Sequence, residues 1–129
     1  MSAAAELQAA IVTATSSLPA LSGVYDGPPA RAEFPYLVVD CSSERDWSAS
    51  LQHGREIEVK LVMWGHPGPR FLELEEALQE CVLPGRTLAN WSVSSLALAE
   101  RKRTRSPEGA WGSHLTLRAR LLAIEGERS

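Results

Sequence analysis

The clearest pattern in the chain runs from Arg55 to Trp64, where apolar and polar residues alternate as they do in a β-strand. One face of this segment is wholly apolar and consists of Ile57, Val59, Leu61 and Met63. The opposite face begins with Glu56 and Glu58 and becomes apolar only at its end. The pattern predicts a central antiparallel strand with one face packed on a core.

Two other segments have the spacing of amphipathic helices. The first runs from Ser2 to Leu18, with Ser2 placed to cap its start and Pro19 to stop it. The second has one apolar face, made of Phe71, Leu74, Leu78, Cys81 and Val82. Its other face carries Glu73, Glu76 and Glu80, with Glu75 at the border. Pro84-Gly85 is expected to end this helix.

The remaining extended segments complete a sheet. They are a short piece around Val24 and Tyr25, a strand from Phe34 to Cys41 with both faces buried, and strands over Leu88–Leu98 and Trp111–Ile124. The predicted fold is α+β, a mainly antiparallel sheet with two helices packed on one face. No linker or repeat divides the chain, so we expect one domain over residues 1–129.

The composition argues against some classes of function but does not indicate a particular one. The chain has 129 residues and a net charge of -3, which is too small to imply a dedicated nucleic-acid or membrane surface. We expect no membrane contact, because every apolar run is far shorter than the roughly 18 residues of a span. Cys41 and Cys81 both lie in apolar surroundings and are interpreted as reduced thiols of a cytoplasmic protein, with a disulfide as the alternative.

No motif for catalysis or cofactor binding is present. The sequence has no nucleophile elbow and no phosphate-binding glycine loop. His53, His66 and His114 have no metal-ligand spacing with each other or with cysteines and carboxylates. A cysteine paired with a distant histidine would be a nucleophile, but nothing in the sequence favours it. We therefore expect a protein that is not an enzyme and has no catalytic, cofactor-binding or metal-binding residues.

The first unusual surface feature is a basic run with a higher density of positive charge than an ordinary surface: Arg101, Lys102, Arg103 and Arg105. It holds four of the thirteen basic residues and is predicted at the tip of a hairpin. Such a run fits three roles: contact with nucleic-acid phosphates, contact with an acidic protein surface, or protection of an edge strand against aggregation.

A polar segment from Ser42 to Gly54 is the second such feature. It is predicted to be a loop of thirteen residues in which only Trp47 and Leu51 are large and apolar. Arg45 and Asp46 precede the tryptophan, a composition typical of an interface anchor. The alternative is that Trp47 folds back onto its own domain.

Several of these segments together resemble one protein family. They are Val24-Tyr-Asp-Gly-Pro-Pro29, Phe34-Pro-Tyr-Leu-Val-Val39, Arg45-Asp-Trp47, the Gly54–Trp64 strand and Trp111-Gly-Ser-His-Leu-Thr-Leu-Arg-Ala-Arg120. In this order the chain resembles the tail-completion, or tail-terminator, proteins of long-tailed phages and gene transfer agents. None of the matching pieces is a catalytic motif.

The resemblance implies a structural role. Tail terminators form a ring of six copies on the head-proximal end of the tail tube, stop polymerisation of the major tail tube protein, and present a docking face to the head-side stopper. The implied partners are further copies of this chain, the tube protein and the stopper, with DNA passing through the ring without sequence-specific binding. The implied location is the bacterial host cytoplasm during assembly, and then the particle's tail.

Under this resemblance both surface features become candidate interfaces. We expect Trp47 to anchor a contact with a neighbouring copy or the tube, with Arg45 and Asp46 as its polar rim and Leu51 in the same interface. We expect the basic run to meet an acidic surface on the tube subunit or the next copy. The alternative function is a cytosolic protein-binding adaptor of similar α+β fold that uses the same loop.

Overall fold

A computed structural model describes residues 2–48, 52–82 and 88–124. These residues form two helices and five strands. In chain order the elements are α1 (Ala3–Ser16), β1 (Gly23–Tyr25), β2 (Tyr36–Asp46), β3 (Gly54–Gly65), α2 (Pro69–Val82), β4 (Trp91–Arg105) and β5 (Trp111–Ala123). No helix in these ranges is long and apolar enough to cross a membrane.

The five strands form one sheet in the order β1-β2-β3-β5-β4. All pairs are antiparallel except β1 with β2, which is parallel. Both helices pack on one face of this sheet and share a single core with it. The predicted α+β class, with helices on one face of a mainly antiparallel sheet, is confirmed.

The central strand and the first helix lie where the sequence predicts them. On β3 the four residues of the apolar face are fully buried: Ile57, Val59, Leu61 and Met63. Ser2 caps α1, since its side-chain oxygen accepts a hydrogen bond from the Ala5 amide at 3.1 Å. The predicted end of α2 at Pro84-Gly85 lies outside the described residues.

The prediction of a loop beginning at Ser42 is wrong. Strand β2 continues to Asp46, and after a register shift between Asp40 and Ser43 it stays paired with β3. Cross-strand ion pairs replace burial in this part of the strand, so the apolar alternation that reveals a strand is missing. The prediction that this strand is buried on both faces is also wrong: Leu37 and Val39 are buried, but Val38 faces the side without helices.

The basic run is not at a hairpin tip, which corrects a second prediction. Strand β4 passes through the whole run, and the turn to β5 covers only residues 106–110. Because β4 is an edge strand, it tolerates charged side chains that a central strand would exclude.

Candidate assembly surfaces

The predicted interface residues fall at opposite ends of the sheet. Asp46 pairs with Arg55 at one end of β3, whereas Gly65 at its other end leads through Trp111 to Arg105. The basic run begins at the level of Leu61, through Leu115 and Arg101, so it lies six to ten residues of β3 from Arg55, about 20 to 33 Å at ~3.3 Å per residue. The structure therefore separates the two predicted groups into two surfaces. Leu51 lies outside the described residues.

Trp47 lies against its own domain while remaining partly exposed. Its amide donates a hydrogen bond to the Gly54 carbonyl at 2.9 Å, which closes the described part of the hairpin between β2 and β3. The Arg120 guanidinium lies 5.1 Å from the centre of the indole ring, a cation–π contact. One face of the ring is thus covered by Arg120, and the side chain remains partly exposed to a partner.

Glu56 fixes the arginine beneath that ring. Its carboxylate accepts hydrogen bonds from Arg45 Nε at 2.6 Å and Arg120 Nε at 2.8 Å, and its side chain is only 6% exposed. The hydrogen bond from Arg120 and the bond and charge of Arg45 lower the pKa of Glu56 below its usual range. Arg45 is therefore engaged with its own domain, although its side chain remains 74% exposed.

Asp46 is also engaged locally. It accepts a hydrogen bond from Ser48 Oγ at 2.7 Å, and this bond is the main reason that the pKa of Asp46 is lowered. Two residues before Asp46 in the same strand, Glu44 forms an ion pair with Arg55 at 2.7 Å. Arg45, Asp46, Glu44 and Arg55 at this end of the sheet are thus paired within the domain.

On the basic run, side chains alternate between two environments. Arg103 lies on the helix side of β4, where it donates to Glu75 at 2.8 Å and covers the Trp111 ring at 5.3 Å. Arg101 is 4.0 Å from the same carboxylate. In the described part of the chain, Lys102 and Arg105 form no ion pair. Only part of the run is thus free to meet a partner.

Glu75 is a buried carboxylate that the sequence pattern placed at the border of the helix. It is 4% exposed and also accepts a hydrogen bond from the fully buried Ser113 hydroxyl. It thus links α2 to both β4 and β5. Like Glu56, it was missed as a structural residue because its partners are distant in sequence.

An aromatic cluster lies at the β1–β2 edge of the sheet and was also missed. Tyr36 contacts Phe34 and Tyr25, with ring centroids 6.0 and 6.1 Å apart, and the His66 ring is 5.1 Å from Phe34. Phe34 is 37% exposed. The cluster is assembled from three separate segments, so no local pattern reveals it.

A separate groove lies between α1 and the β1–β2 edge. It has a volume of about 580 Å³ and is lined on the α1 side by small and apolar residues, among them Ala4, Ala5, Ala9 and Val12. Asp26 and Asp40 line its other side. Its chemistry suits a long aliphatic side chain that ends in a positive charge.

Cys41 and His114 have shifted pKa values, and neither belongs to a metal-binding group in the described part of the chain. No group of three or more His, Cys, Asp or Glu residues in these ranges could hold a metal ion. Burial, with a smaller contribution from Asp40, raises the pKa of Cys41 to about 12, so this free thiol stays protonated at neutral pH. Burial, together with Lys102, lowers the pKa of His114, whose Nε2 lies 2.8 Å from Thr104 Oγ1.

The fold and these surfaces describe a small α+β protein with several patches suited to protein contacts. Residues 4–122 match the family model described as Tail completion protein gp17. The chain therefore belongs to this tail-completion family, as its resemblance predicts.

The fold also occurs in a solved particle. A chain described as "Virion of native gene transfer agent (GTA) particle" is similar to this one, with a TM-score of 0.76 and 21% identity. The match covers 92% of this chain and 96% of that chain. No curated protein matches the sequence.

Proposed function

We propose that this chain is a structural component of a phage-like particle. In this role it caps the head-proximal end of the tail tube as a ring, ends tube polymerisation and joins the tail to the head-side stopper. The family match over residues 4–122 carries the proposal. The likeness of fold to a chain of a gene transfer agent virion supports it.

A ring places two demands on each subunit. It needs two different patches that join neighbouring copies, and it needs surfaces that face the tube on one side and the stopper on the other. The separation of Trp47 from the basic run by half or more of the length of β3 fits this division. In this proposal Trp47 is an anchor toward the tube or a neighbouring copy, and the Glu56–Arg120 pair holds it in place before binding. Such preorganisation reduces the entropy lost on association.

The charge distribution fits a conduit through which DNA passes without being bound. The chain is net acidic at -3, and Arg103 is paired within the subunit. A lumen that lets DNA move gains nothing from a continuous basic surface. The proposal also implies where the protein is found: it is made in the bacterial cytoplasm and becomes part of the tail.

In-vitro complementation tests this function. An extract from a producing strain that lacks the gene should contain filled heads and unjoined tubes, and purified full-length protein should convert them to tailed particles. A matched amount of the Trp47→Ala protein should convert fewer. If the extract already contains joined particles and added protein changes nothing, the tail-joining role is wrong.

A further inference from the structure

We infer that the basic run of one copy docks into the acidic, aromatic edge formed by α1, β1 and β2 of the next copy. This inference rests on the proposed ring and names the contact that would close it. The two patches lie on opposite edges of the sheet, since β1 and β4 are its terminal strands. Each copy therefore offers one patch to each neighbour, as a head-to-tail contact requires.

The receiving edge has the chemistry to bind cations. Asp26 and Asp40 line one side of the groove, and alanines with Val12 line the other. The half-exposed Phe34 ring and the Tyr36 ring lie at the same edge of the sheet. Carboxylates favour lysine and arginine through ion pairing, and the aromatic rings elsewhere on this edge offer cation–π contacts.

The inserting edge carries exposed basic side chains that are available to a partner. Lys102 and Arg105 are exposed and have no ion-pair partner in the described part of the chain, and Arg101 is 52% exposed with only a 4.0 Å contact to Glu75. Arg103 is committed to Glu75 at 2.8 Å. Lys102 and Arg105, which lie on opposite faces of the edge strand β4, are thus the residues for which a partner surface is expected.

The two patches lie at the same level along the strands. Asp40 pairs with Lys60, Lys60 with Thr116, and Thr116 with Glu100, which directly precedes the basic run. In the same way Tyr36 connects across the sheet, through Trp64 and Gly112, to Thr104. A contact between patches at the same register level joins neighbouring copies without a shift along the strands, which is compatible with a closed ring.

Side chains, rather than strand pairing, must make this contact. Gln8 on α1 already occupies the free edge of β2: its side chain donates to the Val39 carbonyl at 3.2 Å and accepts from the Cys41 amide at 3.0 Å. Strand β1 is only three residues long and is followed by Pro28 and Pro29. Both devices protect a sheet edge from backbone pairing.

Charge reversal with rescue tests the contact. One full-length variant carries Lys102→Glu and Arg105→Glu, a second carries Asp26→Lys and Asp40→Lys, and a third carries all four changes. Native mass spectrometry over a range of concentrations should show that each double variant needs at least about tenfold more protein to assemble. The four-change protein should regain assemblies larger than a dimer, because the opposite charges face each other again.

Matched controls separate this contact from a general effect of charge. Arg70→Glu with Arg118→Glu and Glu73→Lys with Glu80→Lys make the same changes in net charge on exposed residues of α2 and β5. Both should assemble like the parent. Asp40 also accepts a hydrogen bond from the Ser42 amide at 2.9 Å, so Asp26→Lys with Arg105→Glu provides a milder exchange that leaves this bond intact.

Three results would overturn the inference: unchanged assembly after either reversal, failure of both exchanges to restore assembly in proteins that melt normally, or restored dimers only. If the parent chain assembles only in particles, the same variants are compared there by the yield of tailed particles. Normal tails in a strain without the gene would instead refute the proposed function. In that case the purified variants still decide whether the two edges meet.

Discussion

At the scale of single residues, buried or shielded carboxylates organise the surfaces of this protein. Glu56 holds Arg120 under Trp47, and Glu75 holds Arg103 and the Ser113 hydroxyl. Each carboxylate links its own element to β5, a strand that does not directly follow that element in the chain. The exposed aromatic and basic groups are therefore fixed by partners that are themselves hidden from solvent.

Glu56→Gln tests the first of these arrangements through its pH dependence. The folded-state pKa of Glu56 is lowered, so the stability that its charge contributes is present above the ordinary glutamate pKa and is lost as pH falls through the folded value. We expect the variant to melt at a lower temperature than the parent at pH 7, with a smaller difference at pH 3. Glu58→Gln, on the same face of β3, is the control and should show little difference at either pH. A melting difference for Glu56→Gln that is equal at both pH values would contradict the charge-based account.

Trp47→Ala tests whether the exposed part of the indole is used in assembly. The cation–π contact with Arg120 is worth about 0.5–1 kcal/mol, so thermal unfolding should show only a small loss. A truncated interface anchor costs about 2 kcal/mol or more, so assembly measured against protein concentration should weaken by roughly thirtyfold. Trp47→Phe keeps an aromatic face for Arg120 and is the matched control. A loss of unfolding free energy as large as the loss in assembly would mean that Trp47 serves its own domain only.

At the scale of elements, α2 is fastened to the sheet by more than its apolar face. Phe71, Leu74 and Leu78 enter the shared core, and Glu75 adds polar links to β4 and β5. Because β4 is an edge strand, these links also set the position of the basic run. The helix and the candidate interface are therefore coupled through one side chain.

Glu75→Ala should destabilise the protein by about 2–3 kcal/mol, because it leaves the fully buried Ser113 hydroxyl without its acceptor and Arg103 without its ion pair. Chemical denaturation measures this change. Glu76→Ala, one residue further and exposed, should change stability by less than about 0.5 kcal/mol. Equal effects of the two substitutions would show that the polar links contribute nothing.

The sequence predicted the elements whose side chains meet one core, and missed those fixed by distant polar partners. The alternation on β3 and the Ser2 cap of α1 are local signals, and both are confirmed. The extension of β2 to Asp46 depends on the Arg45–Glu56 and Glu44–Arg55 pairs, which join residues eleven positions apart. The cluster around Tyr36 needs the parallel pairing of β1 with β2, which no spacing in the chain reveals.

At the scale of the whole molecule, the sheet separates its candidate contacts by direction. One end carries Trp47, and the two edges carry the basic run and the acidic groove. In the proposed ring, the edges join neighbouring copies and the ends face the tube and the stopper. In that ring, each of the unlike surfaces of this chain of 129 residues has its own partner.

The most direct test of the tail-terminator role is negative-stain microscopy of particles from a producing strain in which this gene is deleted. Tail length and the fraction of heads that carry tails are measured, with the gene restored on a plasmid as the control. We predict abnormally long tubes, or tubes detached from filled heads, and recovery of normal tails on complementation. Particles with tails of normal length and normal attachment in the deletion strain would contradict the account.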